Sequence, residues 1–223
     1  MPHISLILST AIVSTYFWFK LPRSRSLSQQ KQELQIQRWA RNFSFEVVNQ
    51  IFSFLMLQIV TFRLCAELVS RQIPLSIGSV CWTLLAVLCL DFVFYWRHRF
   101  YHRFLMGIHK THHPIGEFEL TLSLRIHPVE MLIQMFLFVL AIYIFKLNHW
   151  QATLVNIVFA IQSFYSHLEL QILSTKLTGW IENLIVVPNF HRKHHELDSN
   201  RHFGFLFSFW DRIFKTATQQ KEI

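Results

Sequence analysis

Charge is scarce in this 223-residue chain, where Asp, Glu, Lys and Arg together make up 15% of the residues. So small a charged fraction points away from water and toward a membrane. Gly and Pro are also few, at 5 and 6, and the chain has no internal repeat and no low-complexity linker. Cysteine occurs three times, as Cys65, Cys81 and Cys89, with no C-x-x-C spacing. That excludes an iron–sulfur cluster or a structural Cys/His zinc site and leaves the three as small buried hydrophobes. No G-x-G-x-x-G, haem-attachment or flavin signature occurs, so the chain carries no recognisable redox cofactor of its own.

What the chain has is apolar length. Hydrophobic residues make up 52% of it, and Phe alone occurs 23 times. A helix of about 17–25 apolar residues crosses a bilayer, and five runs qualify or nearly do: Ile4–Phe19, Val47–Leu64, Ile77–Trp96, Val129–Phe145 and Trp150–Phe164. The first lacks a basic leader and is followed by "KLPRSRS", which reads as a retained anchor. The last two are separated only by "KLNH" and form a helical hairpin. Leu34, Ile36 and Trp39 among the cations of 23–44 suggest a helix lying on the membrane surface.

The net charge of +8 would suggest nucleic-acid binding in a soluble protein. The positive-inside rule accounts for it better. With the N-terminus outside, only Arg63, Arg71 and Lys146 of the 21 basic residues fall at or near the outer side. The reading is a single all-α domain, a polytopic bundle of four to five spans with a cytosolic helical cap. Its parts are an anchor (1–22), an interfacial segment (23–44), spans (45–96), a histidine-bearing stretch (97–127), the hairpin (128–167) and the cap (168–223).

Histidine is the informative residue. Of the 13 histidines, eight fall into "HRFYH" (His98, His102), "HKTHH" (His109, His112, His113) and "HRKHH" (His191, His194, His195). Helical spacing of i, i+3 and i+4 places each set on one face, and the topology puts all three on the inner side. One such set alone reads as a solvated basic stretch, but three together do not. Neutral imidazole suits first-row metals such as zinc and iron. Eight ligands exceed what one tetrahedral ion takes and suffice for two metals. His167, at the end of the fifth run, is positioned to be a ninth. His127, just before Pro128, is read as structural or supporting. Asp91 is an ionisable group inside a span and is expected to orient a metal-bound imidazole from behind. The alternative is a hydrogen bond between helices. His3, His149 and His202 have no cluster support.

"DFVFYWRHRFYH", "HKTHH", "LSLRIHPVE", "PNFHRKHH" and "HFGFLFSFWDRIFKT", in this order from Asp91 to Thr216, resemble the fatty acid hydroxylase/sterol desaturase superfamily. The resemblance implies a non-haem di-iron enzyme of lipid biosynthesis that uses dioxygen and two external electrons to hydroxylate or desaturate a lipid C–H bond. It carries metal ligation onto the eight box histidines and His167, and supporting or structural roles onto Asp91, Tyr95, Arg125, His127 and Asp211. Two departures stand out. "LEL" follows His167 where relatives often have a small residue and Asn, and Lys215 stands where Gly is usual.

The implied cofactors are two iron ions, which zinc replaces on heterologous expression, with dioxygen as co-substrate. The implied partners are a sterol or fatty acyl type of lipid and an electron donor such as a ferredoxin or a cytochrome b5-like protein, with no nucleic acid. The implied location is a bacterial inner membrane or the endoplasmic reticulum, with the active site on the cytosolic face. Two rivals stay open: a ceramidase-like zinc hydrolase, and a non-catalytic metal-binding membrane protein. The residues do not separate hydroxylation from desaturation.

Overall fold

The computed structural model describes residues 29–64, 76–114, 118–169, 176–196 and 200–218. The run Ile4–Phe19 and the connection before Ser76 lie outside the described residues. The elements are α1 (Gln29–Leu64), α2 (Ile77–Phe104), α3 (Met106–His109), a 3-10 turn (Leu120–Leu124), α4 (Pro128–Ile144), α5 (His149–Ser166), α6 (Lys176–Leu184), α7 (Pro188–Glu196) and α8 (Phe209–Ile213). Among the described residues there is no strand. Residues 29–44 of the interfacial segment share the 36-residue α1 with the second apolar run. Among the described residues one helix, α2, is long and apolar enough to cross a membrane, and α4 is apolar but shorter.

Side-chain caps set the helix starts. Ser76 and Ser79 cap α2 reciprocally, each hydroxyl accepting the other's backbone N–H at 3.2 and 2.9 Å. Asn148 and Gln151 do the same for α5. Each box satisfies two of the donors a helix leaves free at its first turn. Pro128 opens α4, where its missing N–H costs nothing. His127 caps that helix, its Nδ1 accepting from the Val129 N–H at 3.2 Å, so its role is structural.

One core joins α2, α4 and α5. Ala86, Val87, Leu90 and Phe94 pack with Ala152, Val155 and Phe159, and Leu137, Phe138 and Ala141 close over them. Phe94 meets Phe138, Phe159 and Phe205 edge-on, with ring centroids 5.0–5.6 Å apart, the arrangement that aromatic quadrupoles favour. Polar ties run through this apolar region. Gln151, fully buried, donates from Nε2 to Thr83 Oγ1 at 2.9 Å and so links α5 to α2. On the flank, Asn42 and Asn49 of α1 donate to Thr121 Oγ1 and the Ile126 carbonyl at 3.1 and 2.9 Å.

Among the described residues Asp91 makes no hydrogen bond to an imidazole. Its carboxylate accepts from the N–H groups of Leu206 and Phe207 and from Trp210 Nε1, at 2.8, 3.1 and 3.0 Å. It therefore tethers the segment after α7 to the middle of α2, and the hydrogen bond between elements is the correct alternative.

Lys215 stands in a backbone conformation that favours glycine. It has φ of 55°, and it follows α8 in a Schellman ending: Thr216 N–H bonds to the Asp211 carbonyl and Lys215 N–H to that of Arg212. That ending places its first non-helical residue in the left-handed region, where a Cβ is unfavourable. Lys215→Gly is therefore expected to stabilise the protein by about 1 kcal/mol, read as a raised thermal midpoint in detergent. An unchanged or lowered midpoint would contradict the strain.

Candidate metal centre

The nine histidines singled out in the sequence converge in two groups. His98, His102, His109, His113 and His194 form one, and His112, His167, His191 and His195 the other. Within each group the nitrogens lie within 4.8 Å of one another. The groups cut across the sequence motifs. "HRFYH" serves the first alone, but "HKTHH" gives His109 and His113 to the first and His112 to the second. "HRKHH" gives His194 to the first and His191 and His195 to the second. Adjacent residues on a helix point about 100° apart, so His194 and His195 of α7 straddle two sites, and the turn after α3 divides His112 from His113 in the same way. His113 and His195 stack face to face between the groups, their centroids 4.2 Å apart.

The outer nitrogens fix the inner ones. Nδ1 of His98, His167 and His194 faces the carbonyls of Phe203, Ser163 and Arg201 at 3.0, 2.7 and 2.7 Å. A carbonyl only accepts, so each Nδ1 carries the proton and each Nε2 is a bare lone pair. His109 Nδ1 faces Glu130 Oε2 at 2.9 Å, so there too the outer nitrogen carries a hydrogen.

These bare nitrogens meet other nitrogens. His109 and His194 both approach His113 Nε2 at 3.1 Å, where a single N–H satisfies only one of them. His167 Nε2 lies 3.3 Å from His112 Nε2 and 3.2 Å from His191 Nε2. His98 Nε2 and His102 Nε2 are buried with no hydrogen-bond partner. Lone pairs outnumber hydrogens, and a cation is what such a site lacks. Nitrogens bound at about 2.0–2.1 Å to one ion stand roughly 3.0–3.4 Å apart. The residues present therefore fit two metals.

Burial also keeps the rings neutral. Loss of water lowers the pKa of His112, His113, His191, His194 and His195, and the neighbouring imidazoles lower it further. Burial brings His167 down to about 4 against the opposing pull of the Ser163 carbonyl. Neutral imidazole is the form that binds metal.

The remaining sequence candidates form a support beneath the first group. Tyr95 Oη donates to Thr216 Oγ1 at 2.9 Å, because Thr216 spends its own hydrogen on Asp211 Oδ1 at 2.7 Å. Asp211 also accepts from the N–H groups of Phe203 and Gly204, both at 2.7 Å. Phe203 in turn offers the carbonyl that orients His98. A methyl on Gly204 would stand 2.6 Å from the Phe207 carbonyl oxygen and 2.9 Å from Asp211 Oδ2, so only glycine fits. Arg125 lies beside the second group through its backbone, which faces His112.

Lys193 pairs with Glu182 at 3.7 Å, and Arg192 lies over the Phe118 ring that stacks on His167. His202 is buried outside both groups, bonded to Thr218. Glu130 was not legible as a site residue, although it is the only charged side chain in α4, a signal worth following in an apolar helix.

A cavity of ≈ 250 Å³ opens beside the centre, reached by His98, His109, His112, His167 and His191 and walled by Met131, Phe138, Phe159 and Phe164. A family model described as fatty acid hydroxylase matches residues 83–216, more than half the chain and all nine histidines. Neither the curated proteins nor the solved structures contain a match.

Two outcomes check this geometry. Asp211→Asn sets an N–H₂ against donors and is expected to cost about 2 kcal/mol, with weakened metal binding at the His98 group. Wild-type metal affinity in that variant would refute the relay through Phe203. The second is a pH effect. Metal-free protein should be indifferent to pH above 6.5 and lose stability as pH falls from 6.5 to about 4, because there the unfolded chain takes up protons that folded His167 refuses. Between pH 6.5 and 5 that is roughly 2 kcal/mol from His167 alone. An unfolding midpoint equal at pH 7 and pH 5 would contradict it.

Proposed function

The chain belongs to the fatty acid hydroxylase family, and from that premise we propose that it is an integral-membrane, dioxygen-dependent oxidoreductase. It holds two non-haem irons and oxidises a C–H bond of a membrane lipid. The observation that carries this reading is the pair of all-nitrogen groups, five and four imidazoles, whose inner nitrogens lack hydrogens for one another. Five ligands exceed the four of tetrahedral zinc, and imidazole suits iron.

When bound, the irons supply dioxygen activation and the two-electron chemistry. Hydroxylation consumes one O₂, two electrons and two protons and yields the alcohol and one water; desaturation yields the alkene and two waters. The chain's own residues do the rest. The nine imidazoles hold the charge of the metals without adding any. Phe203, Ser163, Arg201 and Glu130 fix the rings before the metals arrive, which reduces reorganisation. Met131, Phe138, Phe159 and Phe164 keep water from the reacting carbon.

The membrane reading rests on α2 and on the apolar exterior. At 28 residues, α2 is about 42 Å long, more than the ~30 Å hydrocarbon layer. Its last turns, with His98 and His102, then project past the apolar layer, and four to five spans follow if the residues before α1 and the α4–α5 pair also insert. The large apolar side chains left exposed on α2 and α4, such as Leu84 (62%) and Phe136 (64%), suit lipid better than water. With no redox cofactor signature, electrons come from a ferredoxin or cytochrome b5-like donor on the basic cytosolic face.

The test is iron-replete expression with metal analysis and lipid profiling. Two irons per chain and an oxidised lipid that disappears in His194→Ala are expected, with both kept in Lys193→Ala. Iron-free protein, or a lipid profile unchanged by His194→Ala, would overturn the oxygenase reading.

A further inference from the structure

Three residues that line the cavity each carry a buried polar atom with no hydrogen-bond partner among the described residues: Arg97 Nε, Tyr101 Oη and Glu130 Oε1. His98 and His109 line the same cavity, and the Glu130 carboxylate acts electrostatically on both Arg97 and Tyr101. Their other contacts are made. Arg97 Nη1 donates to Gln134 Oε1 at 3.0 Å, and the guanidinium lies over the Phe94 ring at 4.0 Å. Glu130 Oε2 is taken by His109. What is left over is chemically specific: a guanidinium N–H that only donates, a phenol that donates or accepts, and a carboxylate oxygen that only accepts.

We propose that this trio recognises the hydroxyl group of a neutral lipid alcohol, held against the His109 side of the metal centre. A hydroxyl both donates and accepts, so it gives its hydrogen to Glu130 Oε1 and takes one from Arg97 or Tyr101. A free fatty acid would also meet Arg97, but its carboxylate faces the charge of Glu130 and offers that oxygen no hydrogen. An alkyl chain leaves all three atoms unsatisfied in a water-poor site, which is costly.

The cavity volume of ≈ 250 Å³ lies below the ~300–1,000 Å³ that encloses a drug-sized ligand. It therefore admits one end of a lipid, and the polar trio selects the hydroxyl-bearing end. Because Glu130 also holds His109, the oxidised carbon lies within a few bonds of the carbon bearing the hydroxyl. This inference builds on the oxygenase reading for its reaction but not for its binding step.

The experiment is photolabelling of the purified, metal-loaded full chain in detergent. The probes are a long-chain primary alcohol and a sterol, each with a diazirine near the hydroxyl and a terminal alkyne. Controls are the O-methyl ether of each and the matching fatty acid, with cross-links mapped by mass spectrometry. The expected result is labelling of cavity residues about tenfold stronger for an alcohol than for its ether or the acid. Whichever alcohol labels more strongly assigns the carbon skeleton.

Tyr101→Phe and Arg97→Met are each expected to bring the preferred alcohol close to the level of its ether while metal content stays unchanged. Tyr101→Phe, which deletes one oxygen, carries the test if Arg97→Met fails to fold. Equal labelling by alcohol and ether, stronger labelling by the acid, or unaltered labelling in Tyr101→Phe would overturn the proposal. Metal content on the same samples separates the two readings: hydroxyl-selective labelling of a chain that takes up no metal would defeat the oxygenase and leave this site standing.

Discussion

Bare imidazole nitrogens pointed at one another are the constraint on which the rest of this structure depends. His109 and His194 compete for one nitrogen of His113, and His167 faces both His112 and His191 at hydrogen-bond distance. In the low-dielectric interior such unshared lone pairs are unfavourable, and only a cation between them makes the arrangement a gain. The surrounding fold is arranged to hold that frustration in place. Backbone carbonyls of Phe203, Ser163 and Arg201 pin the outer nitrogens, and Asp211, Thr216 and Tyr95 in turn pin the Phe203 peptide. Asp91 anchors the segment on which Phe203 rides.

Eight of the nine converging histidines stood out in the sequence by their i, i+3 and i+4 spacing, a local property of helices, and His167 by its place at the end of the fifth apolar run. Their partition between two groups did not. It depends on how α3 and α7 rotate against the end of α2, which is decided by packing between elements far apart in the chain. The same distinction explains Asp91. Its place in an apolar run announced a partner, but two of its three partners are backbone N–H groups more than a hundred residues away, and backbone donors leave no mark in a sequence. Glu130 lay hidden for a different reason: next to a helix-opening proline it resembled an ordinary first-turn acid.

The helix pattern was legible where caps were explicit. Asn148 with Gln151, and Pro128 after His127, mark the ends of a hairpin whose connection is only Phe145–Asn148. The polar segment and the second apolar run meet inside one helix, because nothing in 40–46 breaks it and α1 runs through. Lys215 shows the converse, a residue type that fits its local geometry poorly yet is carried by a strong tertiary setting around Asp211 and Thr216.

A metal titration of chelator-stripped protein by calorimetry tests the two-site arrangement most directly, with His102→Ala and His167→Ala in parallel. His102 belongs only to the five-histidine group and His167 only to the four-histidine group. Two equivalents of ferrous iron per wild-type chain are predicted, with one equivalent in His167→Ala, whose group keeps only three imidazoles, and two equivalents of which one is weakened in His102→Ala, whose group keeps four. A single equivalent in the wild type, or two of unchanged affinity in His167→Ala, would contradict it.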